Sequence, residues 1–175
     1  MTRQTAVARS TSGGLGAIGI LTTLLGAWAG IVVFAGPVFG YSVEGRGAWH
    51  WSAAHGLLHL APGAAAFLAG LIILASAPSG VARGGSAFIG SLLAVAAGAW
   101  LVIGPIAWPV LQGNGHRVWN AAPPLHELAY QVGANLGPGA ILILTGALAL
   151  GLVSRTTVSA PLSQQPPVGA TRAAA

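Results

Sequence analysis

The chain has 175 residues, of which 54% are hydrophobic and only 5% charged: seven Arg, two Glu, and neither Lys nor Asp. Soluble domains carry about 25% charged residues, so a water-facing surface is excluded and a lipid-facing one indicated. The net charge of +5 comes from singly scattered arginines, which make no nucleic-acid footprint, and the absence of cysteine excludes disulfides, thiolate metal sites and cysteine nucleophiles.

Residues 1–12 carry Arg3, Arg9 and a run of Ser and Thr, and are expected to form a flexible tail. Charges then punctuate the chain. The charge-free intervals after Arg9, Arg46, Arg83 and Glu127 are each long enough for one transmembrane helix, which needs roughly 20 apolar residues. Helices are expected at 14–36, 51–77, 86–109 and 125–153, inside a membrane domain spanning 13–154. Backbone groups in lipid must be satisfied within the segment, and alternating strand patterns are absent, so the fold class is all-α: a polytopic membrane protein with four transmembrane helices. Pro62 and Pro138 fall inside helices two and four and should kink them. Residues 155–175 read as a second flexible tail.

A cleaved signal peptide is the competing reading of the first span. Its apolar part exceeds the usual roughly 7–15 residues and no small-x-small cleavage site follows, so the spanning reading is preferred. With four spans, Arg3, Arg9, Arg83, Arg155 and Arg172 share one side and Arg46 and Arg117 the other. The excess of arginine places both termini in the cytoplasm, and the Ala-, Gly- and Arg-rich composition suggests a bacterial cell (inner) membrane. Tyr41, Trp49, Trp51, Trp108 and Trp119 then form an aromatic belt at the outer interface.

The chain also matches itself. At an offset of 68, Gly36-Pro37 falls on Gly104-Pro105, Trp51-Ser-Ala-Ala on Trp119-Asn-Ala-Ala, and Leu60-Ala61 on Leu128-Ala129. Further on the offset becomes 76, where Pro62-Gly63-Ala64 meets Pro138-Gly139-Ala140 and Gly70 meets Gly146. Two helical hairpins, 14–77 and 86–153, account for this, with about eight extra residues before Gly137-Pro138 in helix four. Both hairpins start on the same side, so they are parallel repeats about an axis along the membrane normal.

Gly26-Ala27-Trp28 and Gly98-Ala99-Trp100, the Gly-Pro pairs at 36–37 and 104–105, and Trp51-Ser52 and Trp119-Asn120 opening the next helix together resemble the SPW-repeat membrane proteins of bacteria, whose units are two-helix hairpins. The Ser-Pro-Trp tripeptide itself is absent. The resemblance implies architecture and brings no activity.

Small-xxx-small pairs occur at Gly26/Gly30, Gly36/Gly40, Ala66/Gly70, Ala94/Gly98 and Gly133/Gly137 and read as bundle packing, as do the mid-helix Trp28 and Trp100. The residues able to carry chemistry gather in the predicted outer half. His50, Glu44 and His116 fall in loops. His55 and His59 share one face of helix two. Glu127, Gln131 and Asn135 recur every four residues on helix four, with His126 and Tyr130 beside them.

Three readings of this cluster are open. It is an interfacial polar network, or a transition-metal site with His55, His59, His126 and Glu127 as ligands, or a haem site with one helix-two histidine and His126 as axial ligands. At an offset of 68, His59 corresponds to Glu127, which predicts that the two pair in the bundle interior. Broken helices beside polar side chains would also suit transport. No nucleophile–base set, phosphate loop or nucleotide fingerprint is present, so the expected function is a non-enzymatic scaffold or accessory subunit without a cofactor, the alternative being a metal- or haem-binding protein. Its partners are the lipid bilayer and a second copy or another membrane protein.

Overall fold

The computed structural model describes residues 3–42, 47–77, 84–113 and 124–158. The first helix, α1 (Arg3–Ala35), closes in a 3-10 turn, Gly36–Phe39, capped by Gly40 in the left-handed region at φ 77°. A π-helical turn, His55–Leu60, leads into α2 (Ala61–Ser76). The third helix, α3 (Gly84–Leu111), runs through Pro105 and Pro109. The last span is assembled from α4 (Pro124–Tyr130), a second π-helical turn, Gln131–Leu136, and α5 (Gly137–Val158). Among the described residues there is no strand, and four helical stretches are long and apolar enough to cross a membrane: Ser12–Phe39, His55–Ser76, Gly84–Leu111 and Pro124–Ser154. The protein is a multi-pass membrane protein.

The helix ends correct the expected tail. Helix α1 begins at Arg3, about three turns before the apolar run starts, and α5 continues to Val158. Hydropathy marks where a helix enters lipid. Nothing in Gln4–Ser12 breaks a helix, so the helix extends past that point. The predicted kinks at Pro62 and Pro138 also differ in form, since each proline is preceded by a π-helical turn that widens the helix locally.

The dominant helix contacts are α1 with α2 and α3 with α5, which are the two hairpins; α2 on α3 and, less extensively, α1 on α5 join them. Within each hairpin the seams correspond residue by residue. A Cβ on Gly26 would strike Gly63, Ala66 and Phe67; a Cβ on Gly98 would strike Gly139, Leu142 and Ile143. A Cβ on Gly70 would meet Gly19 and Thr23; one on Gly146 would meet Ser91 and Val95. The offset is therefore 72 between α1 and α3 and 76 between α2 and α5. Glycine permits this backbone approach, and in lipid close packing replaces the hydrophobic drive. Two of the small-residue pairs do something else. Gly36 faces the Tyr41 carbonyl and Gly40 caps the helix end, while Gly133 faces the Tyr41 hydroxyl and Gly137 lies against the Val132 carbonyl.

The apolar core is stacked in three layers along the bundle. Leu15, Ile73, Ala87, Ala149 and Val153 fill the end bearing the chain termini. Ala29, Ala66, Ala97, Leu101 and Leu142 fill the middle, and Val32, Val33, Tyr130 and Ala134 the end bearing the longer loops. The expected extra length is present: α4 adds about two turns ahead of the second π-helical turn, and helix two has no counterpart to it. Hydroxyls in the apolar helices bond backward to their own backbone, Thr23 to Gly19, Ser76 to Ile72 and Ser91 to Ala87.

Candidate functional site

The two π-helical turns are equivalent. His55–Leu60 and Gln131–Leu136 lie 76 residues apart, the same offset as the glycine seams that follow them. At the end of each turn a main-chain N–H reaches five residues back, from Ala61 to the Gly56 carbonyl and from Gly137 to the Val132 carbonyl. The next donor in that register would be residue 62 or residue 138. Both are proline and have no N–H. The carbonyls of Leu57 and Gly133 therefore receive no donor from the helix in either register.

In lipid such a carbonyl needs a partner. Trp100 on α3 donates its indole N–H to the Leu57 carbonyl at 2.8 Å, and Trp28 on α1 donates to the Gly133 carbonyl at 2.9 Å. Leu57 and Gly133 are equivalent, as are Trp100 and Trp28, and each bond joins one hairpin to the other. From sequence alone both tryptophans read as packing. The missed signal was a tryptophan in one helix with a proline five residues beyond an exposed carbonyl in another, a pattern visible only once the register was known.

The polar side chains ride on the same turns. His55 and Gln131 are equivalent, and so are His59 and Asn135. His55 is buried and donates from Nδ1 to the His50 carbonyl at 2.9 Å, while its own N–H is accepted by the Ser52 hydroxyl at 3.1 Å. His59 and Asn135 lie deeper, with 1% and 0% of their surface exposed. Asn135 donates from Nδ2 to Oε1 of the half-buried Gln131 at 3.0 Å, and its buried Oδ1 accepts no hydrogen bond. A buried carbonyl oxygen without a donor is costly, because it has exchanged water for nothing.

In this register the repeat equivalent of His59 is Asn135 and not Glu127. Glu127 is half-buried on α4, eight residues ahead of Asn135, and so about 12 Å nearer the loop end than the depth equivalent to His59. The offset of 68 belongs to the loop-end resemblance and is lost where α4 inserts its extra turns. His126 donates from Nε2 to the Ser42 carbonyl at 2.8 Å, which ties α4 to the chain leaving α1. Tyr130 is buried in the loop-end layer. Among the described residues no three His or Glu side chains converge to hold a metal, so His55, His59, His126 and Glu127 are not gathered into one ligand set. Glu44, His116 and Trp119 lie outside the described residues.

No family model matches the chain, and comparison with curated proteins and with solved structures finds no similar protein. The site must be read from its own chemistry.

Around it stands an aromatic shell. Phe34 stacks with Trp49 and Trp51, at centroid distances of 6.5 and 6.0 Å, and meets the His55 ring edge-on at 5.5 Å. Trp49 adopts φ 63°, unusual for a bulky residue, and donates its N–H to the Phe34 carbonyl at 3.0 Å. Tyr41 packs on Tyr130, and its hydroxyl donates to the carbonyls of Ala129 and Tyr130 at 3.1 and 3.3 Å. Partial burial raises the Tyr41 hydroxyl above its ordinary pKa.

Proposed function

We propose that this chain is a non-enzymatic integral membrane protein of the bacterial inner membrane, acting as a scaffold or accessory subunit with both termini in the cytoplasm. The observation that carries this reading is the reciprocal pair of tryptophan bonds, Trp28 to Gly133 and Trp100 to Leu57, which fastens two equivalent hairpins into one braced bundle. Such a bundle presents a preformed surface of exposed apolar side chains, including Leu24, Ile103, Ile106 and Leu144, to lipid and to a neighbouring membrane protein.

The test is a photo-crosslinking amino acid placed at Ile106 or Leu144 in living cells. A discrete adduct with one membrane protein, or with a second copy, is expected; adducts with lipid alone would overturn the scaffold reading. A reporter fused after Arg155 should be active only in the cytoplasm.

A second reading is favoured by the burial of His59 and Asn135 at equivalent positions. Polar groups at such depth in a membrane bundle are expensive and commonly functional. In this reading the polar turns bind a small ligand reached from the loop end. Elemental analysis and an absorption spectrum of the purified protein separate a metal or haem ligand from an uncoloured one.

A further inference from the structure

We propose that the segments loopward of Pro62 and Pro138 are two gates over the buried His59 and Asn135, held shut by Trp100 and Trp28 as latches from the opposite hairpin. The inference goes beyond the scaffold reading and requires no particular ligand. In helix two the gate is residues 53–61; in helix four it is 124–137.

Three observations support hinges at these places. Proline removes a main-chain bond at each one, and the preceding π-helical turn has already loosened the register. Glycine flanks both: Gly56 and Gly63 in helix two, and Gly133, Gly137 and Gly139 in helix four. The carbonyl on the gate side, Leu57 or Gly133, is held by a tryptophan of the other hairpin in place of a donor from its own helix. Across the hairpins the helix-two gate is held by the Trp100 bond, and the helix-four gate by the Trp28 bond together with the Tyr41 bonds to the Ala129 and Tyr130 carbonyls and the His126 bond to the Ser42 carbonyl.

The tryptophan bond sets the direction of opening. A released carbonyl must find water, because lipid offers no donor. Water lies at the loop end, so releasing a latch and hydrating the interior from that end are one event. Hydration also benefits Asn135, whose buried Oδ1 accepts no hydrogen bond in the closed state. The closed state thus keeps a desolvated acceptor that the open state satisfies, while the latch bonds and apolar packing favour closure. Opposed terms of this kind make a two-state element.

The chain contains no cysteine, which allows a direct test by thiol accessibility. Asn135→Cys and His59→Cys are made in the full-length protein, reconstituted in lipid vesicles, and treated with a membrane-impermeant maleimide. Slow labelling is expected in the parent and labelling about tenfold faster when Trp28→Phe and Trp100→Phe are added, because local opening then becomes more populated. Ser91→Cys, in the apolar part of α3, should stay protected in both backgrounds. Unchanged labelling at 59 and 135, or equal acceleration at 91, would overturn the gate, the second by showing general loosening. Should the cysteine variants fail to fold, hydrogen exchange on the tryptophan variants replaces them. Protection should fall at 57–61 and 133–137 and persist in α3; a uniform loss, or none, counts against the proposal. Pro62→Ala, which restores a donor for Leu57, should cancel the effect of Trp100→Phe.

Discussion

The indole of Trp28 stands 2.9 Å from the carbonyl of Gly133, a residue 105 positions away that its own helix leaves without a donor. Its counterpart, Trp100 on Leu57, does the same in the other direction across the bundle. Both tryptophans are partly exposed to lipid, so the ring faces outward while its one polar atom turns inward. The prolines create the vacancy that the tryptophans fill, which makes Trp28 with Pro138, and Trp100 with Pro62, coupled pairs.

That coupling can be measured. Trp100→Phe keeps most of the ring and removes the donor, and should cost about 1 kcal/mol of unfolding free energy, the usual range for a hydrogen bond between membrane helices. In a Pro62→Ala background the Leu57 carbonyl regains a main-chain donor, and the cost should fall by half or more. Trp28→Phe with Pro138→Ala should behave alike. Strict additivity in both double-mutant cycles would mean that the tryptophans serve only as packing.

The seam glycines make a second, symmetric prediction. A Cβ at residue 63 would sit 2.6 Å from the Gly30 Cα, and one at residue 139 would sit 2.8 Å from the Gly98 carbonyl oxygen. Backbone cannot yield as a flexible side chain does, so Gly63→Val and Gly139→Val should each cost about 2 kcal/mol or more. Gly151→Ala, with nothing within 4 Å of the added carbon, should leave stability near that of the parent. Unfolding curves in detergent read all three.

The hairpin repeat, the four spans and the extra turns before Gly137 were legible in the sequence, because hydropathy and self-similarity persist over long stretches. The repeat equivalent of His59 was not. Short matches at an offset of 68 near Trp51 and Trp119 were extended into helix four, whereas the structural register there is set by the seams at Gly63, Gly70, Gly139 and Gly146, which give 76. Two residue types as different as histidine and asparagine at equivalent positions leave no sequence identity to find. The π-helical turns were hidden for a related reason. A proline announces a missing bond, and how the helix accommodates it depends on a donor in another hairpin.

Tyr41 gives the bundle an alkaline limit. Burial raises its pKa, so the folded state holds the phenolic proton more tightly than the unfolded chain. Its contribution to stability is fully present below about pH 10, the ordinary tyrosine value, and is lost as pH rises through the raised value. Deprotonation also removes the donor to the Ala129 and Tyr130 carbonyls. Stability should therefore decline above about pH 10, and Tyr41→Phe should flatten that decline while lowering stability at neutral pH. A pH series of thermal melts on the two proteins decides it; parallel curves would assign the alkaline loss to another group.

Asn135 is where stability and function should part. It is 0% exposed, and its Oδ1 accepts no hydrogen bond, so the side chain keeps a desolvation cost that a leucine of similar volume would not. What Asn135→Leu gives up is the bond to Gln131, a half-buried residue closer to the loop end that can turn toward water. The exchange should leave unfolding free energy unchanged or raise it by about 1 kcal/mol, whereas most core substitutions lower it. A residue kept against its own stability is the pattern expected of a functional position. If the polar turns bind a ligand, the same variant should lose that binding while folding at least as well as the parent. A loss of 2 kcal/mol or more on Asn135→Leu would instead show that Oδ1 is satisfied in the membrane, and Asn135 would then be a structural part of the brace.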